Sequence, residues 1–272
     1  MTLRVAVLGA GHFGRFHALK AAKGARTRLV AVHDADAARA AAVAAEAGAP
    51  ALGLAEAIGA ADAVIVAAPT RFHFALGSAV LEAGRHLFME KPIAATLAEA
   101  DALAALASSR GRVLQVGHIE RFSAAFRAVV DAPGRDQALS WEAARVAPFR
   151  PRSLDVSVVL DLMIHDLDLV MELAGGEPEA VEAVGAAIAS DHPDFAVARL
   201  RFPGGRAASI TASRVSLAME RRLRVLGTEG EMAVDFLTRS LAVLRRGGAE
   251  AVETMPGLSL IHISEPTRLR RI

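Results

Sequence analysis

The sequence predicts two domains in series: an α/β domain on a parallel sheet, then an α+β domain with a mostly antiparallel, open sheet. Three observations carry this. Through residue 118, short apolar runs alternate with stretches of helical periodicity, the mark of βαβ units. The first apolar run ends in a glycine-rich turn that opens a helix. From 119 to 257 strand-like runs follow one another with few helices between them.

In the first domain, residues 3–8, 29–32, 63–67, 86–89 and 113–116 are short apolar runs and predict strands. Residues 12–23, 36–47, 72–83 and 97–108 predict the intervening helices. Thr96 and Glu99 form a capping box ahead of the last helix, and Gly48 and Gly84 stand where helices should end. In the second domain, 123–130 predicts a helix that Asp131-Ala132-Pro133-Gly134 breaks. Residues 139–146 predict a strand, and 161–174 a helix stopped by Gly175-Gly176. Residues 181–188, 196–202, 207–213, 222–226 and 232–235 then predict strands. The helix can cover one face of that sheet, which leaves the other for substrate or for a second copy of the chain; a homo-oligomer through this sheet is expected.

The chain has 272 residues, 53% of them hydrophobic, enough to bury two cores. No apolar run reaches the roughly 18 residues of a membrane span, and Met1-Thr2-Leu3-Arg4 leads straight into a β-like run with no leader pattern. A cytoplasmic protein is expected. There is no cysteine, which excludes disulfides, iron–sulfur clusters and thiolate zinc sites, and no metal site is expected. There is no tyrosine, which excludes Tyr-x-x-x-Lys acid–base chemistry. Proton transfer falls to His, Lys, Asp or Glu.

Residues 258–268 resemble a translated sequencing adapter, so 258–272 is expected to be non-native and the second domain incomplete at 257. This tail holds three arginines against one glutamate; without it the formal charge falls from +1 to −1. The charge therefore implies neither a nucleic-acid nor a membrane partner.

Gly9-Ala10-Gly11-His12-Phe13-Gly14 matches G-x-G-x-x-G between a predicted strand and helix, the context of a dinucleotide-binding Rossmann domain. The first glycine permits the tight turn, the second lets the backbone approach a pyrophosphate, and the third allows close packing. Asp34 follows about 20 residues on, where a carboxylate can bind ribose hydroxyls and repel a 2′-phosphate; NAD is expected over NADP, although Arg39 can soften the preference. The residues alone leave open that Asp34 or Asp36 merely caps the next helix. Ala67-Ala68-Pro69-Thr70 should also reach the cofactor edge, with His73 one turn further on; a lone histidine there is more often structural.

Glu90-Lys91-Pro92 follows a predicted strand, and a lysine at such an edge can steady a developing alkoxide. It can equally be a surface lysine. Asp161 and His165 are four apart on a predicted helix and so share a face; a histidine oriented by an aspartate can take a proton near neutral pH. Helix capping by Asp161 and a solvated histidine stay open.

Taken in order, Gly9–Gly14, Pro69 through His73, Glu90-Lys91-Pro92, Gly117-His118-Ile119-Glu120-Arg121-Phe122 and Asp161-x-x-x-His165 resemble the Gfo/Idh/MocA oxidoreductases over residues 3–244. The resemblance implies hydride transfer between a nicotinamide and a sugar or cyclitol carbinol, with Lys91, Asp161 and His165 as the catalytic set. It places Gly9, Gly11, His12, Phe13, Gly14, Asp34, Pro69, Thr70, His73, Glu90 and Lys91 around the cofactor, and His118, Arg121 and Arg152 toward substrate. The stretch 145–168 resembles the UDP-N-acetylglucosamine 3-dehydrogenase type within that family, which serves lipid A synthesis. Arg121, Arg145, Arg150 and Arg152 can then meet a nucleotide diphosphate, or form structural ion pairs. Two other functions stay in view: dehydrogenation or reduction of a free sugar, cyclitol or non-sugar substrate, and non-catalytic sensing of NAD.

Overall fold

The structure, a computed structural model, describes residues 2–132, 134–151 and 154–245, and the backbone of 250–254. Arg152 and the tail 258–272 lie outside the described residues. Two compact units divide after Gly117.

The N-terminal unit carries five parallel strands: β1 (Leu3–Leu8), β2 (Thr27–His33), β3 (Ala63–Val66), β4 (His86–Met89) and β5 (Leu114–Val116), in the order β2-β1-β3-β4-β5. Helices α1 (His12–Lys23), α2 (Ala37–Ala47), α3 (Leu54–Ala60), α4 (His73–Glu82) and α5 (Leu97–Ser109) connect them. Alternation along β1 sorts its side chains to two cores. Val5 and Val7 pack with Ala18, Ala21, Val43 and Ala44 of α1 and α2. Ala6 and Leu8 pack with Ile58, Val80, Leu81 and Leu103 of α3, α4 and α5. Burial on both faces is why these strands read as continuous apolar runs. The chain leaves β1 toward β2 but β3 toward β4, so the strand order reverses between β1 and β3; ligands gather at the carboxyl edge of such a reversal.

The expected caps form: Thr96 accepts the Glu99 N–H, and Glu99 returns to the Thr96 N–H at 3.2 Å. Helix α3 is absent from the sequence reading. Its seven residues begin at a glycine cap and contain Gly59, too short a stretch to show a period.

The C-terminal unit holds β6 (Ala138–Val146), β7 (Ala180–Ala186), β8 (Phe195–Phe202), β9 (Arg206–Ser213), β10 (Glu220–Gly227), β11 (Gly230–Asp235), β12 (Ser240–Arg245) and β13 (Glu250–Thr254). The order is β13-β12-β11-β10-β6-β9-β8-β7, antiparallel except between β6 and β9. Helices α6 (Ala124–Asp131) and α7 (Ile164–Ala174) pack on it through Phe126, Val129, Leu169 and Val170, against Trp141, Ile210, Leu223 and Val225. Trp141 meets Phe202 edge-on at 5.7 Å.

Two sequence expectations change here. Strand β7 ends at Ala186 rather than 188, because the Asp194 carboxylate collects the N–H groups of Ile188, Ala189 and Ser190 and turns the chain away. Strands β12 and β13 extend the sheet beyond the predicted strands.

Candidate active site

The glycine motif makes the first part of the site. Gly9 has φ +94°, and a Cβ there would come within 2.6 Å of the Ala67 carbonyl oxygen. A Cβ on Gly14 would sit 2.8 Å from the Gly9 carbonyl carbon, so the first turn of α1 rests directly on the loop. Gly11, the N-cap of α1, differs: nothing lies within 4 Å of where its Cβ would project. No side chain caps this helix end and no acid stands in its first turn. The uncapped, positive dipole end of α1 therefore lies beside open space at Gly11, which fits a diphosphate. At the rim His12 stacks edge-on to Phe13 and Phe16 at 5.4 and 4.9 Å, and Phe13 is half exposed.

Asp34 follows β2. Its carboxylate accepts the Ala10 N–H at 2.6 Å and the Asp36 N–H at 2.8 Å, with the Arg39 guanidinium 3.7 Å away. Capping of α2 belongs to Asp36, which accepts the Arg39 N–H. Asp34 is thereby left at the glycine loop, with lone pairs for a ribose hydroxyl. At the end of β3, Pro69 starts a single 3-10 turn, Thr70–Phe72.

The Glu90-Lys91-Pro92 segment continues β4, with the Glu90 N–H on Val66 O and a cis Lys91–Pro92 peptide bond. Glu90 Oε1 lies 2.6 Å from Nε2 of His17 on α1, and its other oxygen accepts the Lys91 N–H at 3.3 Å. His73 is 1% exposed, with Nδ1 2.7 Å from Pro92 O and Nε2 2.8 Å from Ala68 O. Both ring nitrogens are spent on backbone carbonyls. The direct cofactor contact expected of His73 gives way to a role in shaping this edge.

In the C-terminal unit the expected helix 161–174 begins with a π turn, Val159–Met163, in which the Ile164 N–H reaches Val159 O. Asp161 is buried in this turn and His165 is the second residue of α7. Such turns concentrate at functional sites. Two supports hold the segment. Arg145 of β6, 3% exposed, forks onto Asp166 at 3.0 and 3.0 Å and reaches Glu120 at 3.0 Å. Burial, with Glu120 close by, pushes the Asp166 carboxyl up against the pull of Arg145. Arg214 donates to Val156 O at 2.8 Å and to Asp194 at 2.7 Å, and the Val158 N–H donates to Pro193 O.

Two arginines expected near a diphosphate are thus structural. Arg145 is enclosed in its carboxylate cluster. Arg121, expected at substrate, forks onto Asp168 at 2.7 and 2.7 Å and onto Glu172 at 2.6 Å, which ties residues 119–122 to α7. His118 lies 3.7 Å from the same Asp168. A groove of about 390 Å³ beside the β10–β11 turn is lined by none of the expected residues.

The sequence reading does not single out His17, Asp194 or Arg214. His17 and Glu90 are 73 residues apart, so no local spacing announces the pair.

Residues 3–118 match the Gfo/Idh/MocA model described as "Oxidoreductase family, NAD-binding Rossmann fold", and 115–233 match the GFO/IDH/MocA C-terminal domain. The chain is 43% identical over 257 residues to a UDP-N-acetylglucosamine 3-dehydrogenase of Acidithiobacillus ferrooxidans, covering 94% of this chain and 80% of that protein. It is 30% identical over 251 residues to an inositol 2-dehydrogenase of Rhizobium meliloti, covering 86% and 76%. Among solved structures, UDP-N-acetylglucosamine 3-dehydrogenase GnnA from Acidithiobacillus ferrooxidans superposes with a TM-score of 0.88 at 40% identity, over 96% of this chain and 85% of that one. GenD2 from gentamicin A biosynthesis, solved in complex with NAD, gives 0.80 at 27% identity, over 87% and 73%. With both family domains present in order on the glycine loop and the α+β unit described above, the chain belongs to the Gfo/Idh/MocA family of oxidoreductases with an NAD-binding Rossmann fold.

Proposed function

We propose that the protein is an NAD-dependent dehydrogenase that oxidises the C3 hydroxyl of UDP-N-acetylglucosamine to the ketone. The observation that carries this reading is 43% identity over 94% of the chain to a relative of that name. Lys91, Asp161 and His165 are all present, which favours an enzyme over an NAD sensor.

The bare N-terminus of α1 and the clear space at Gly11 take the cofactor diphosphate. Asp34 takes a ribose hydroxyl and repels a 2′-phosphate, which favours NAD over NADP. Pro69, Thr70 and Glu90 shape the nicotinamide side of the edge, with His12 and Phe13 at the rim. When bound, the nicotinamide supplies the hydride acceptor for the carbinol carbon. His165 receives the hydroxyl proton as the oxygen becomes a carbonyl, and Asp161 orients the imidazole. Lys91 donates to the same oxygen and steadies the charge that builds there. The carbon loses a hydride, the oxygen loses a proton, and His165 holds that proton. His118 and Arg152 serve substrate.

The test is NADH absorbance with NAD or NADP and a panel of UDP-N-acetylglucosamine, UDP-glucose, free N-acetylglucosamine and myo-inositol. The reading expects NAD with UDP-N-acetylglucosamine to be the best pair. It also expects His165→Ala to lower turnover about 10²-fold or more with NAD affinity kept. A preference for inositol overturns the substrate; near-normal turnover of the variant overturns the base.

A further inference from the structure

We infer that His17 and His73 are positioning residues for Lys91, holding its backbone from opposite faces of the N-terminal sheet. The inference rests on Lys91 being the catalytic lysine proposed above.

The geometry begins with strand alternation. Met89 belongs to the core of α3, α4 and α5, so Phe88 and Glu90 turn to the opposite face, where α1 lies. His17 of α1 meets both of them: its ring is 5.3 Å from that of Phe88, and Nε2 is 2.6 Å from Glu90 Oε1. The second Glu90 oxygen accepts the Lys91 N–H. Gly117 closes behind this carboxylate, since a Cβ there would lie 3.0 Å from Glu90 Oε2. A chain of contacts therefore runs from α1 through His17 and Glu90 to the backbone N–H of Lys91.

On the other face His73, from α4, joins Pro92 O to Ala68 O. It ties the residue after Lys91 to the end of β3, next to Pro69 and Thr70. Both partners are backbone carbonyl oxygens, one on each side of the ring. The bland alternative for either histidine is a core residue that packs and no more. Against it, both polar ends of His73 are used on two separate backbone segments, and those segments flank the expected reaction edge.

Fixing the backbone matters because a lysine side chain is long and flexible. A small error at its base becomes a large one at Nζ, and about 1 Å of misplacement can cost about 10²-fold in rate.

The experiment is a set of double-mutant cycles on the full chain, with NAD and UDP-N-acetylglucosamine as probes. Lys91→Met is measured alone and combined with His17→Leu, Glu90→Gln or His73→Gln. Glu90→Gln keeps size and shape, so it reports even where a histidine variant fails to fold. His17→Gln retains an N–H near the Nε2 position. We expect His17→Leu and Glu90→Gln to lower kcat by about tenfold or more, and His17→Leu to change NAD Kd by less than about threefold. His17→Gln should restore most of the loss. In the Lys91→Met background the same changes should cost little further, because they act through the lysine. Losses that multiply in the double variants overturn the inference, and so does a kcat within about twofold for the single variants while Lys91→Met is severely impaired. Near-normal turnover of Lys91→Met itself removes Lys91 from the chemistry, a failure of the proposed function that is read separately.

Discussion

On the proposed reading, Gly14 serves the packing of the glycine loop and Gly11 serves the cofactor, and a pair of alanine substitutions tests the division. At Gly14 a Cβ would press on the backbone of Gly9, which neither residue can relieve by turning a side chain. Overpacking of this kind costs roughly 1–3 kcal/mol. At Gly11 the backbone has φ −69°, which alanine adopts freely, and nothing lies within 4 Å of the new methyl. Lower chain entropy favours alanine there by about 0.4–1 kcal/mol, and its weaker N-capping opposes that by a similar amount, so the fold should be nearly indifferent. The methyl would occupy the open space in which the proposed function seats the diphosphate. A loss of at least tenfold in NAD affinity, about 1.4 kcal/mol, is expected. Thermal unfolding with and without NAD reads both effects. Gly14→Ala should melt several degrees lower without ligand. Gly11→Ala should melt with the parent when free, yet lose most of the upward shift that saturating NAD gives the parent. A full NAD shift in Gly11→Ala would refute the placement of the diphosphate. An unchanged free midpoint in Gly14→Ala would refute the packing.

Three further outcomes follow from the same geometry. Asp34→Ala should weaken NAD binding more than NADP binding, since it removes a ribose acceptor and a charge that repels the 2′-phosphate; equal losses in parallel titrations would remove Asp34 from cofactor choice. Asp194 is fully buried; although burial raises its carboxyl, the Ile188 and Ala189 N–H groups, Ser190 and Arg214 hold it well below the usual carboxylate range. Its stabilisation is therefore complete above the unfolded value of about 3.9 and lost as pH falls toward the lower folded value. Asp194→Asn should cost about 3–5 kcal/mol at neutral pH and flatten the acid limb of denaturant midpoints below about pH 4; a limb of parental steepness would count against this. Arg121→Met should lower stability by about 1–3 kcal/mol, since it takes the fork from buried Asp168, yet leave the sugar-nucleotide KM within about twofold, because that fork is spent on Asp168 and Glu172; a tenfold rise in KM would return Arg121 to the substrate.

Local signals were legible in the sequence and distant pairings were not. The Gly9–Gly14 loop, the Thr96–Glu99 box and the runs that became β1 and β4 each depend on neighbours within a few residues, so their spacing shows. The near-continuous apolar runs of the first domain and the successive strands of the second revealed the fold class. The fate of the arginines was hidden. Whether Arg145 meets a phosphate or a carboxylate depends on Glu120 and Asp166, 25 and 21 residues away. The π turn at Asp161 leaves no periodic trace either, because one widened turn inside an apolar stretch still reads as helix. His73 stood in the right motif, but only its burial shows that it serves the backbone.

The central claim is that this chain moves a hydride from a sugar carbon to NAD. The most direct measurement supplies UDP-N-acetylglucosamine deuterated at C3, with NAD, and follows the label by mass spectrometry. The account predicts deuterium in the NADH formed, a 3-keto sugar nucleotide in equal amount, and loss of both products in His165→Ala. NADH that forms without label, or a C3 deuterium that stays on the sugar while NAD is bound, would contradict it.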